Sequence, residues 1–228
     1  MSRLHESQSN ELKKRMQSWG NSPLKEMGYA LSTKLDMLSV VADRLNSRLR
    51  ELRDQFIEDY ENVNECVENK YAYNIQKEQL PYALLVDIES FIFESRSLYE
   101  ILGRFLREFF SRILGLKVDE KQLSIMLQSQ GIDTRWISIL RDSRILFFHK
   151  TAPWLIIEFQ SLNPPEFDLL ILKRDVKDPL NSDAYYHFKE LRDIFEGFKM
   201  SMEGINKWVL EQIENYEQKH NKALAADS

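Results

Sequence analysis

Residues 31–56 read LSTKLDMLSVVADRLNSRLRELRDQF. Leu31, Leu35, Leu38, Val41, Leu45, Leu49, Leu52 and Phe56 follow one another at steps of three or four, which keeps them on one side of an α-helix. Asp43, Arg44, Arg48, Arg50 and Glu51 fall on the other side, and mixed charge of this kind marks a solvated face. The pattern predicts one long helix from about Leu24 to Tyr60, buried along a single stripe. The same period returns twice. From about Pro81 to Leu114 the stripe is Leu85, Ile88, Phe91, Ser95, Leu98, Ile101, Phe105 and Phe109, with Ser95 its one polar member. From about Ser182 to Lys219 it is Tyr186, Leu191, Ile194, Phe195, Phe198, Met202, Ile205, Trp208, Val209 and Ile213. Three such stripes bury one another most simply in a helical bundle.

Between these helices the signals are shorter. Residues 61–78 lose the strong period and read as a connector with room for a helical turn, ending near Pro81. Gly115 breaks the second long helix. Asp119 caps a short helix over Glu120–Ser129, and Gly131 ends it. A second short helix begins near Asp133 or Thr134, carries Trp136, Ile139, Leu140 and Phe147 on its apolar side, and must stop before Pro153. Beyond that proline the period changes to short, β-branched and aromatic runs at 154–160 and 167–174, split by Asn163-Pro164-Pro165, and these predict a hairpin. The expected fold is therefore all-α: three long and two short helices, with a small β-hairpin (about 154–174) inserted before the last helix. Residues 1–23 are expected to form a flexible arm, 24–222 a single domain, and 223–228 a tail.

Composition narrows the function classes. The chain has 228 residues, 43% of them hydrophobic, with 13 Phe, 9 Tyr and 4 Trp, enough for a substantial core. Its net charge of −5 excludes a general nucleic-acid footprint, so any contact with nucleic acid must be local. Cys66 is the single cysteine, which rules out a disulfide framework or a CxxC zinc pattern and suits a reducing compartment. Neither a signal-peptide core nor an apolar run of membrane-spanning length is visible, and a cytoplasmic protein is expected.

Most catalytic signatures are missing. There is no glycine-rich phosphate loop and no GxSxG elbow. The four histidines, His5, His149, His187 and His220, lack ligand spacing, and neither a metal nor another cofactor is expected. One local inversion of charge stands out: Arg135–Lys150 holds four Lys/Arg against one Asp. Arg141, Arg144, His149 and Lys150 cluster there. On an ideal helix Arg144 and His149 are separated by about 140° of arc and about 7.5 Å of rise, so they converge only if the helix ends or bends between them. Arginine holds a phosphate through a charge-assisted fork, and histidine moves a proton near neutrality. The two together suit metal-free RNA cleavage. The competing reading is structural: cations at a helix C-terminus offset the helix dipole.

Arg144-Ile-Leu-Phe-Phe-His149 resembles the Arg-x4–6-His motif of the HEPN superfamily. The preceding long helix with Phe93-Glu94-Ser95-Arg96-Ser97-Leu98-Tyr99-Glu100, and the proline shortly after the histidine, are similar as well. The resemblance covers about residues 79–153. It implies an α-helical bundle that dimerises so that two Arg/His sets face one cleft, and a metal-independent ribonuclease, often in toxin–antitoxin or antiphage systems with an antitoxin partner. By this resemblance Arg144 would stabilise the phosphate, His149 would serve as acid and base, and Glu94 would orient one of them, with Arg141 as a second cation.

Lys150, and Lys173 and Arg174 at the end of the hairpin, are candidate RNA contacts. Active members of the superfamily usually have a polar residue directly after the motif arginine. Here that residue is Ile145, which favours the alternative: a non-catalytic helical binding or scaffolding protein.

Overall fold

The computed structural model describes residues 23–69, 75, 79–115, 120–148, 155–162, 165–172 and 185–226. In chain order these form α1 (Pro23–Glu58), α2 (Tyr60–Glu68), α3 (Leu80–Leu114), α4 (Glu120–Ser129), α5 (Arg135–Phe148), β1 (Leu155–Leu162), β2 (Pro165–Leu172), β3 (Tyr185–His187) and α6 (Lys189–Ala226). The three long helices are those the apolar period predicts, with 36, 35 and 38 residues. The expected arm at 1–23 lies, except for Pro23, outside the described residues.

Two elements differ from the sequence reading. The stretch taken as a connector opens with α2, a nine-residue helix that buries Val63. A nine-residue helix with one buried side chain has too short a period to stand out, and its register is set by packing. The hairpin is in fact a three-stranded antiparallel sheet in the order β1-β2-β3. Its third strand, with Tyr186, occupies the start of the stretch expected to be the last helix, so α6 begins at Lys189. Adjacent tyrosines favour a strand. The backbone N–H of Phe188 still donates to the Leu169 carbonyl at 2.9 Å before the helix takes over.

Two glycines end helices as expected. Gly115 (φ 65°) follows α3 and Gly131 (φ 72°) follows α4, a left-handed conformation that costs a side-chain-bearing residue about 1–2 kcal/mol. The N–H of Ile132 then returns to the Leu127 carbonyl at 3.0 Å.

Contact density divides the chain into two compact units. One comprises Met1–Leu35, Ser97–Ile137 and Phe195–Ser228, the other Asp36–Arg96 and Ser138–Ile194. The first is an aromatic-rich helical core. Trp208 stacks obliquely on Phe110 at 4.7 Å, and Trp136 sits edge-on to Tyr99 at 5.7 Å and Phe198 at 5.0 Å. The Trp136 indole N–H donates to Ser201 Oγ at 2.8 Å, which satisfies the buried nitrogen.

The second unit packs one face of the sheet on helices. The in-register pair Phe159 and Phe167 both meet Phe56 of α1 edge-on, at 4.9 and 5.1 Å. Leu169, Ile171 and Tyr186 continue this face and are buried. A register irregularity between Phe159 and Ser161 lets the strand adjust near its turn. The opposite face aligns Glu158 with Asp168 and Leu170 with His187. No described helix is long and apolar enough to cross a membrane.

Candidate functional site

The candidate residues fall into those that the description reaches and those beyond it. His149, Lys150, Lys173 and Arg174 lie outside the described residues. Arg144 is placed through its backbone, in α5, four residues before that helix ends at Phe148. Arg141 is exposed, and its guanidinium Nε donates to the neighbouring Asp142 Oδ1 at 3.2 Å. Both partners are about two-thirds exposed (67% and 65%), so this pair contributes little to stability. Glu94 is buried on α3.

Glu94 is one of two buried carboxylates on the same side of α3. Asp87 lies seven residues earlier, two turns away and only about 20° around the helix. Asp87 is served from α1. Arg44 Nε approaches its Oδ1 at 2.5 Å, and Arg48 Nε stands 4.0 Å from Oδ2. Arg48 also donates to Glu51 Oε2 at 3.1 Å. The result is a four-membered network of two arginines and two carboxylates, anchored on one side chain that is 6% exposed. Asp87 Oδ2 and Arg48 Nε are buried without a hydrogen bond, as is Ser95 Oγ one turn past Phe91.

By sequence Arg44 and Arg48 belong to a solvated face, and Asp87 does not stand out. The signal was present in the spacing. Asp87 lies three residues after Leu84 and four before Phe91, inside the buried arc, and a carboxylate there requires a cation. Arg44 and Arg48, one turn apart, supply two.

The described end of α5 is tied to the sheet. Ser143 is fully buried and donates to the Ile139 carbonyl at 2.7 Å. Its Oγ is also 2.5 Å from the Tyr186 hydroxyl. Burial pushes the Tyr186 phenol above its ordinary value of 10.0; the bond to Ser143 opposes this, and the nearby acids Glu190, Asp193 and Asp142 add to it. On the next strand position His187 Nδ1 lies 3.1 Å from Asp168 Oδ2, an imidazole oriented by a carboxylate on the other face of the sheet.

At the opposite end of α5, Asp133 caps the helix. Its Oδ1 accepts the Arg135 backbone N–H at 2.9 Å, and its Oδ2 accepts from the Arg135 guanidinium at 2.7 Å. These bonds, with the cation behind them, lower the Asp133 pKa. Among the described residues no group of three or more His, Cys, Asp and Glu side chains is placed to hold a metal ion.

No protein-family model matches the chain, and comparison with curated proteins and with solved structures finds no similar one.

Proposed function

We propose that the chain is a HEPN-type, metal-independent RNA endonuclease that acts as a dimer. The observation that carries this reading is the spacing Arg144-x4-His149, whose arginine lies in α5, among that helix's last described residues. Pro153 forbids helix soon after the motif, and a helix that ends or bends between Arg144 and His149 brings the two closer than the roughly 140° separation of a continuous helix. In this reading Arg144 holds the scissile phosphodiester, with Arg141 as a second cation. His149 removes the proton of the ribose 2′-hydroxyl or returns one to the departing 5′-oxygen, and the products are a 2′,3′-cyclic phosphate and a free 5′-hydroxyl. Buried Glu94 is the orienting carboxylate on α3. Lys150, Lys173 and Arg174 contact the RNA backbone.

A dimer is supported by α3. Tyr82, Val86 and Phe93 are 72%, 57% and 52% exposed. They lie within about 40° of one another around the helix, an apolar stripe facing away from the buried one. A role in toxin–antitoxin or antiphage defence, with an antitoxin as partner, belongs to the same proposal.

One observation favours a second reading. Ile145 follows Arg144 where a polar residue is usual in active members, and a non-catalytic HEPN-like binding or scaffolding protein tolerates an apolar residue there. Cleavage of a mixed RNA pool in EDTA separates the two. The nuclease reading expects products from the wild type and none from His149→Ala of equal melting temperature. Cleavage that persists in the purified variant sinks the assignment of His149. An inactive wild type that still binds RNA or a partner protein leaves the scaffold.

A further inference from the structure

The inference rests on the ribonuclease reading and adds to it a residue outside the Arg144/His149 motif. β3 is three residues long, too short to be fixed by backbone pairing alone. Two side-chain bonds on opposite faces secure it: His187 to Asp168 at 3.1 Å, and Tyr186 to Ser143 at 2.5 Å. The second reaches α5 at the residue directly before Arg144.

Ser143 Oγ stands between two oxygens, the Ile139 carbonyl at 2.7 Å and the Tyr186 hydroxyl at 2.5 Å. The three groups form one buried chain, with Ser143 at 0% and Tyr186 at 4% exposure. A serine bonded back to the carbonyl four residues earlier loosens and bends a helix. A second bond, from a different element, holds that turn of the helix in place. Burial alone does not call for this chemistry, because alanine and phenylalanine would fill the two positions without a polar group to satisfy. A buried polar pair linking segments 43 residues apart defines the rotation of α5 about its axis.

We propose that Tyr186, acting through Ser143, is a positioning residue that holds the turn of α5 bearing Arg144 at the rotation needed to meet a phosphodiester of RNA. The pair touches no substrate. Misplacement of a phosphate-binding group by a fraction of an ångström to 1 Å lowers turnover by about 10- to 100-fold while substrate binding by other cations persists.

The test measures kcat and KM for RNA cleavage in EDTA, with melting temperatures, for wild type, Tyr186→Phe, Ser143→Ala, the double variant and His149→Ala. The expected result is a kcat about tenfold lower in each single variant at KM within about twofold, and a double variant no worse than either single one, because both remove the same link. A role confined to stability lowers the melting temperature and leaves kcat of the folded protein unchanged. Tyr186→Phe and Ser143→Ala proteins that are folded and turn over within twofold of wild type, while His149→Ala is dead, overturn the positioning role and leave the nuclease standing. A wild type without cleavage overturns both.

Discussion

Trp136 lies directly over Gly197: a Cβ placed at 197 would come within 2.7 Å of the Trp136 Cβ and Cδ1 atoms. The Cβ is fixed by the α5 backbone and cannot swing away, and Cδ1 can move only by turning the indole ring. The ring is also held by its bond to Ser201 and its edge contacts with Tyr99 and Phe198. Gly197→Ala therefore sets two effects against each other. Helix propensity favours alanine inside α6 by about 1 kcal/mol, whereas overpacking a rigid site costs about 1–3 kcal/mol. The displaced indole also loses its hydrogen bond to Ser201, worth about 1 kcal/mol. The variant is expected to be less stable by about 1–3 kcal/mol in urea unfolding followed by tryptophan fluorescence. An unchanged or raised midpoint would mean that propensity governs this position.

The Arg44–Asp87 pair predicts an asymmetry. Asp87 is buried, whereas the Arg44 side chain is 48% exposed. Removing the arginine strands a carboxylate whose remaining cation stands 4.0 Å away. Removing the carboxylate frees arginines that rotate into water. Arg44→Ala is expected to cost about 2–3 kcal/mol and Asp87→Asn about 1 kcal/mol, with the double variant recovering part of the Arg44→Ala loss. Equal losses, or strict additivity in the double-mutant cycle, would show that the two side chains do not depend on one another.

The dimer reading makes a prediction on α3. Tyr82 and Val86 are solvent-exposed and one turn apart, so replacing both with glutamate removes no core contact and puts two charges into any interface they form. Tyr82→Glu/Val86→Glu is expected to sediment as a monomer, with its melting temperature within about 2 °C of a Tyr82→Ala/Val86→Ala control at the same monomer concentration. A variant that still sediments as a dimer places the interface elsewhere.

The long helices were legible because burial imposes a period that many residues repeat. The α1 stripe from Leu31 to Phe56 supplies six fully buried side chains of its eight, and Leu35 and Leu49 are partly covered. The helix stops were legible because Gly115 and Gly131 adopt a backbone that other residues resist. β3 was not, because Tyr186, Leu191 and Ile194 fit a helical spacing as well as Tyr186 fits a strand, and only pairing with Leu170, Ile171 and Leu172 decides between them. The site was legible as a motif, not as a geometry. Arg144 falls in α5 and Glu94 is buried, but the ties within the described residues are Asp87 to Arg44 and Tyr186 to Ser143, each between residues 43 apart: the spacing marks Asp87 as a buried carboxylate in need of a cation, but no local pattern announces the bond of Tyr186 to Ser143.

Tyr186 carries a pH signature. Its folded pKa is raised, chiefly by burial, above the ordinary 10.0. A raised folded pKa means that the native state keeps a proton the unfolded chain releases. The phenol's contribution to stability is thus complete below about pH 10 and declines as pH rises from there toward the folded value. The neighbouring Glu190, Asp193 and Asp142 push the Tyr186 pKa the same way as burial does. Wild type is expected to lose more stability between pH 9 and pH 11 than Tyr186→Phe, which has no proton to lose. Denaturant unfolding at the two pH values, compared as a difference of differences, isolates the residue. Parallel losses in the two proteins would mean that the phenol reaches water in the native state, and that its bond to Ser143 is too weak to fix α5.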